Sequence, residues 1–197
     1  MEWKRGVLRD MGVRDYVELG LRDVILLLVH LGGEPVYGLE SLHLMLFLYP
    51  YVESGERLLL AAPFSPKVEK ELLWLEREGL VERRREYRGG RGVVALVETR
   101  RGAGRARALA ARLRDGHVLL RGFAVRRGLD VLGELEALKE TYNGLGVLEV
   151  AERLASLAVK GDERVLSAVD GAEVPALRLY AKNFLEELER LREGAHR

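Results

Sequence analysis

Four histidines, His30, His43, His117 and His196, are the side chains best suited to ligate a metal or to move a proton near neutral pH. No two of them stand four residues apart and no His-Glu-x-x-His occurs, so their spacing predicts no metal site. His30 and His43 fall inside apolar runs, where a hydrogen-bonded core histidine is expected, and His196 lies in the tail. The glycine clusters Gly102-Ala103-Gly104-Arg105-Ala106-Arg107 and Gly144-Leu145-Gly146-Val147-Leu148-Glu149 lack the third glycine of a dinucleotide fingerprint, and no Walker A sequence exists. Turn and capping duty is the expectation for both. There is no cysteine, hence no thiolate nucleophile, disulfide or sulfur-based metal site. Carboxylates mostly sit at helical spacing beside cations, as Glu187, Glu189, Arg190 and Arg192 do, which is the pattern of a solvated face. No catalytic dyad or triad emerges, no cofactor is expected, and the reading is non-enzymatic.

The chemistry that remains is cationic. Residues 82–127 carry 14 basic and 4 acidic side chains, a net charge of +10, between flanks of −4 and −5 that bring the whole chain to +1. Arg83, Arg84, Arg85, Arg88 and Arg91, followed by Arg100, Arg101, Arg105, Arg107, Arg112 and Arg114, are numerous enough to run along a phosphate backbone, whose neutralisation releases counterions. The planar guanidinium suits bidentate phosphate contacts and narrow minor grooves. The competing reading is internal pairing. Gln is absent, Asn occurs only at 143 and 183, and Arg far outnumbers Lys, a composition common in heat-adapted proteins, whose arginines often pair with glutamate.

The elements that must position these residues can be read from caps and periodicity. A short apolar helix is expected from an Asp23 cap to Leu31, stopped by Gly32 and Gly33, and a second from about Gly38 to Tyr49, ended by Pro50. Arg57 to Ala62 is read as a short strand. Ser65 and Pro66 start a third helix that runs to Glu78, with Gly79 as its C-cap. Its 3.6 period buries Val68, Leu72 and Leu75 and turns Lys67, Lys70, Trp74 and Arg77 outward, with Leu73 leaning the same way. Leu80–Arg88 and Val93–Glu98 read as a hairpin about Gly89, Gly90 and Gly92. Thr99 caps a helix to about Arg114, with Arg101, Arg105 and Arg112 close together on one side. Residues 117–128 fit strand or helix. Three further helices are expected at about 130–142, 146–159 and 174–193. The apolar series of the last, Leu177, Tyr180, Ala181, Phe184, Leu185, Leu188 and Leu191, suggests a dimer element.

Several segments carry a family likeness. An apolar helix ending in Leu31-Gly32-Gly33, a following helix rich in Leu and Phe, Pro63-Phe64-Ser65-Pro66-Lys67-Val68, Leu72-Leu73-Trp74-Leu75-Glu76-Arg77-Glu78-Gly79-Leu80-Val81 and Glu98-Thr99-Arg100-Arg101-Gly102 resemble archaeal YwgA-like proteins, related to the wider Panacea group of antitoxin and adaptor domains. Leu138-Lys139-Glu140-Thr141-Tyr142-Asn143-Gly144-Leu145 with Leu148-Glu149-Val150 resembles that family's C-terminal helical part, so the likeness spans about residues 20–160. It implies a winged-helix fold and a regulatory role rather than a defined substrate.

The expectation is therefore a mainly α, α+β chain. A winged helix-turn-helix with a β-hairpin wing occupies residues 1–116, and a C-terminal helical region, 117–197, serves dimerisation. The chain has 197 residues, with 48% hydrophobic and 32% charged, ample for a core. Its longest apolar runs, Val24–Val29 and Leu44–Tyr51, fall short of the roughly 20 residues of a membrane span, and Met1 to Asp15 lacks an apolar leader, so a cytoplasmic location is expected. The primary reading is a homodimeric regulator binding double-stranded DNA through Lys67 and Lys70 of the third helix, Arg83, Arg84, Arg85, Arg88 and Arg91 of the wing, and Arg100, Arg101, Arg105 and Arg112 of the helix after it. Glu69, Glu71, Glu76 and Glu78 weaken the field of the third helix. The alternative is a protein-interaction module, an antitoxin or adaptor contacting its partner through Leu73, Trp74 and Arg77; RNA binding by the same patch is a third.

Overall fold

The computed structural model describes residues 1–197 except 1–5, 8–9, 11, 14–15, 56, 60–61, 121–123 and 195–197, and of 57–59 only the backbone; His196 lies outside the described residues. The fold is α+β. In chain order it contains β1 (Tyr16–Glu18), α1 (Leu21–His30), β2 (Val36–Tyr37), α2 (Leu39–Leu48), β3 (Arg57–Leu59), β4 (Ala62–Phe64), α3 (Pro66–Arg77), β5 (Val81–Arg88), β6 (Arg91–Glu98), α4 (Arg100–Arg114), β7 (His117–Leu120) and β8 (Ala124–Arg127). Then follow α5 (Gly128–Tyr142), α6 (Val147–Lys160), the single turn α7 (Glu163–Leu166), a 3₁₀ turn at Gly171–Glu173 and α8 (Val174–Gly194).

α1 is the hub of the first core. Val24 through Val29 are all at most 2% exposed, because α3, α4, α5 and β6 surround the helix. Its start differs from expectation. Gly20 occupies the cap position and Asp23 sits inside the first turn, its carboxylate accepting the Gly20 N–H at 3.2 Å. α2 is buried all round for a reason its sequence does not reveal. Leu42, Met45 and Leu46 pack into the first core, while Leu44 and Leu48 pack into a second core with Val150, Leu154, Ala158, Val165 and Ala181. The first core also takes in Val131, Leu132 and Leu135 of α5, so it runs past residue 116.

Three small sheets complete the fold. β2, β6 and β5 form an antiparallel sheet in that order, with Val36 opposite Leu96 and Arg83 opposite Leu96 on the other side. β3 and β4 make a short antiparallel pair, replacing the single strand expected at 57–62. The ambiguous stretch 117–128 is two strands, β7 and β8, with β1 added parallel to β7, and α5 begins directly at Gly128. β1 and β2 show no usable period at three and two residues long, which is why they are invisible in the sequence.

Much of the stripe on α8 packs within the chain. Leu177, Ala181, Phe184 and Leu185 pack into the second core against α6, and a bidentate pair from Arg192 to Glu152 at 2.9 and 2.7 Å ties the two helices. Of the stripe only Tyr180 and Leu191 remain exposed, so its apolar character is largely spent within the chain. Among the described residues no helix is long and apolar enough to cross a membrane.

Candidate nucleic-acid interface

α3 is held by strong local signals. Ser65 Oγ accepts the N–H groups of Lys67 and Val68 at 3.1 and 3.3 Å, Pro66 fills the first position, and Gly79 takes φ +62° to let the chain leave the helix. Val68, Leu72 and Leu75 are fully buried. The opposite ridge, Lys67, Lys70, Leu73 and Arg77, is exposed.

The four glutamates of α3 do not lie free beside this ridge. Glu69 meets Arg83 Nη2 at 3.1 Å and Glu76 meets Arg83 Nε at 2.7 Å, both on the flank toward β5. On the other flank Glu71 pairs with Arg22 of α1 at 2.6 Å and Glu78 with Arg101 of α4 at 3.6 Å. Glu69 also accepts from the buried His43 Nε2 at 3.3 Å, an arrangement in which burial holds the imidazole pKa below its ordinary value. Every carboxylate of the helix is thus matched by a cation or imidazole from another element, and the solvent-facing ridge carries positive charge alone.

Trp74 requires a correction. The Arg22 guanidinium lies 3.5 Å from its ring centroid, and the ring packs half-buried against the first core. Trp74 therefore belongs to the frame beneath the ridge, and Leu73, 46% exposed, is the one apolar side chain left on it.

Along the β5–β6 hairpin the two faces differ. Val81, Arg83, Arg85 and Tyr87 alternate on the face that begins in the core, while Glu82, Arg84, Glu86 and Arg88 occupy the other. Arg83 is committed to α3, and Arg84 pairs with its neighbour Glu82. Arg88 stacks over the Tyr37 ring at 4.3 Å. Among the described residues Arg85 and Arg91 make no ion pair, and neither do Lys70 and Arg77 on the ridge. Tyr87, opposite Gly92 near the tip, is 89% exposed.

α4 joins α3 end to end. Thr99 Oγ1 accepts the Gly102 N–H and donates to the Gly79 carbonyl at 2.6 Å, and Arg101 donates to the Glu78 carbonyl at 2.7 Å. Gly102 is not in a turn. It lies within the first turn of α4, where an added Cβ would stand 1.9 Å from the Leu80 carbonyl oxygen, so close approach of two backbones demands glycine. Gly144, at φ +79°, and Gly146, the α6 cap, do serve a turn and a cap. Arg100, Arg105 and Arg112 make no ion pair among the described residues. Arg105 of α4 and Lys67 of α3 line one cleft of about 600 Å³ at the start of α1, which they share with Arg22 and with the acidic Glu18, Asp23, Glu53 and Glu71.

Of the basic side chains singled out by sequence, then, Lys67, Lys70, Arg77, Arg85, Arg88, Arg91, Arg100, Arg105 and Arg112 are exposed with no carboxylate partner, whereas Arg83, Arg84 and Arg101 are paired. Lys67 Nζ donates to the Glu53 carbonyl at 2.6 Å and keeps its charge outward. Sequence reasoning missed two positioning residues, Lys139 and Asn143. Lys139 is 3% exposed, and Asn143 donates to the Pro35 carbonyl at 2.9 Å while accepting the Tyr37 N–H at 2.8 Å. The signal was there: two polar residues four apart inside the Leu138–Leu145 segment already noted for its family likeness. Among the described residues no group of three or more His, Asp or Glu is arranged to hold a metal ion. No protein-family model, curated protein or solved structure matches the chain.

Proposed function

We propose that the chain is a non-enzymatic DNA-binding regulator of the winged-helix type, in which α1, α2 and α3 form the helical unit and β2, β6 and β5 its sheet and wing. We propose kinship with the YwgA-like proteins as well, which implies the same architecture. The observation that carries the reading is the one-sided charge of α3. Glutamates drawn onto Arg22, Arg83, Arg101 and His43 leave Lys67, Lys70 and Arg77 as the charged groups of the outward ridge. A helix with such a ridge and a neighbouring arginine-bearing hairpin suits a major groove flanked by phosphates. Arg85, Arg88 and Arg91 would reach the backbone beside the groove, and Arg100, Arg105 and Arg112 its other side.

The experiment is titration of a random-sequence duplex by fluorescence anisotropy over a range of salt. Affinity is expected to fall steeply with salt, and each phosphate-neutralising side chain removed should lower the slope of log K against log salt by about 0.9. A flat slope, unchanged in Lys70→Ala and Arg77→Ala, rejects the reading. Exposure of Leu73 is the observation favouring the second reading, a protein-interaction module; the cover of Arg22 on Trp74 removes the larger half of the apolar surface that module needs.

A further inference from the structure

We infer that α4 lies lengthwise in a groove of double-stranded DNA and clamps both strands without reading the bases. The inference rests on the DNA-binding reading above and goes beyond it, giving α4 a groove of its own and making that contact indifferent to sequence.

Arginine is arranged in two rows round this helix. At about 3.6 residues per turn, Arg100, Arg107 and Arg114 fall in one row, and Arg101, Arg105 and Arg112 in another about 140° away. All six are exposed, and residues 100–114 include no carboxylate. Arg101, at the head of its row, holds the end of α3 through Glu78. Arg107 Nε donates to the Ala103 carbonyl one turn back at 3.2 Å, which leaves its charge uncancelled. Between the rows the outward positions are Gly104, Ala108 and Ala111, all exposed. The opposite side, with Ala106, Ala110 and Leu113, is buried against α1 and α5. The outward half of α4 is therefore a smooth floor with a cationic rim along each edge, about 21 Å long.

Gly104 points the same way. Gly102 is glycine because Leu80 lies against it, but nothing stands within 4 Å of the Cβ that Gly104 lacks, and its backbone is ordinary helix. Glycine there weakens the helix with no packing gain inside the chain, and it suits close approach by an outside body.

Charge complementarity selects that body. A helix about 10–12 Å across fits the major groove of B-form DNA, which is about 12 Å wide. The two arginine rows then meet the phosphates of the two strands that border the groove. The side chains of the floor carry no donor or acceptor, so the hydrogen-bond code of the base edges is closed to them and the contact is to the backbone. The major groove of A-form RNA is too narrow for the helix, and a single strand offers phosphates to one row at a time.

The test titrates the full chain against a random-sequence DNA duplex by fluorescence anisotropy over a range of salt. Ala108→Leu and Ala111→Leu raise the floor while every charge stays in place, and leucine is a strong helix former, so both should melt as wild type does. Each is expected to weaken duplex binding by about tenfold or more, the effect of overpacking a close contact, and to do so equally for duplexes of different sequence. Gly104→Ala should melt higher than wild type yet bind the duplex more weakly, a combination that loss of fold cannot produce. Replacing Arg100, Arg107 and Arg114 together by alanine should lower the slope of log K against log salt by about three. Unchanged affinity in the three floor variants means that the arginines act from outside the groove; it overturns the inference and leaves the DNA reading standing. A loss confined to particular sequences, or equal or tighter binding to a single strand or an RNA duplex, overturns it as well. Absence of binding to any duplex at low salt rejects the DNA reading itself.

Discussion

The ammonium of Lys139 donates to the carbonyl oxygen of Leu31 at 2.6 Å. The same nitrogen reaches the carbonyls of Val29, at 3.2 Å, and Glu34, so its three N–H groups serve three acceptors at the C-terminal end of α1. One turn later Asn143 holds Pro35 and Tyr37, and Gly144 N–H reaches the Tyr37 carbonyl at 3.2 Å. The last turn of α5 therefore fixes the loop that becomes β2, the strand on which the β5–β6 hairpin is laid.

Replacing Lys139 by Met keeps the buried stem and orphans the carbonyls, with an expected loss of about 1–3 kcal/mol in denaturant unfolding. The pH dependence has a definite sign. Burial pulls the Lys139 pKa from 10.5 down to about 8, against the opposing pull of Glu34, Glu98 and Glu136. Between those values the unfolded chain binds more protons than the folded one, so the stability of wild type relative to Lys139→Met grows as pH rises through about 8 to 10.5 and is level below that window. Urea midpoints of the two proteins measured across that range check this; a constant difference would contradict it.

Two glycines two residues apart in α4 should respond oppositely to the same change. Gly102→Ala drives a Cβ to 1.9 Å from the Leu80 carbonyl and should destabilise by about 3 kcal/mol or more. Gly104 has nothing within 4 Å of its would-be Cβ, so Gly104→Ala should stabilise by about 0.5–1 kcal/mol through helix propensity. Thermal unfolding of both variants decides whether the α4–Leu80 approach is as close as described.

Arg83 and Arg85, neighbours on one face of β5, should separate in function. Arg83→Ala leaves Glu76 unmatched and Glu69 with His43 alone, lowering stability and adding negative charge beside the α3 ridge. Arg85→Ala removes an unpaired cation, leaving stability within about 0.5 kcal/mol of wild type while flattening the salt slope of duplex binding by about one. Equal loss of stability in the two variants would mean that Arg85 is also an internal partner.

The C-terminal helix gives a prediction about assembly. Leu188, 8% exposed, packs within the chain, whereas Leu191 is 63% exposed. Leu188→Ala should cost about 2–3 kcal/mol of stability, and Leu191→Asp should leave it unchanged. If α8 pairs two copies, light scattering will show a wild-type dimer and a monomeric Leu191→Asp; a wild-type monomer rejects the dimer.

Much of the frame is legible because it depends on neighbours in the chain. Ser65 reaches Lys67 and Val68, Thr99 reaches Gly102, and the burial of Val68, Leu72 and Leu75 follows from a helical period, so α3 and α4 can be placed to within a residue or two from local rules. The hairpin β5–β6 is equally plain in Val93 to Glu98 and the Gly89-Gly90 turn.

Which arginines are available to a ligand is a different kind of question. Arg83 and Glu69 are 14 residues apart and Arg22 and Glu71 are 49 apart, and their pairing depends on how helices and strands lie across one another, which the burial of α1 in the first core and of α2 between the two cores dictates. Composition reveals a surplus of positive charge in the middle of the chain. The division of that charge into a matched inner set and an outward ridge arises only when distant segments pack, because Coulomb attraction acts through space and takes no account of order along the backbone.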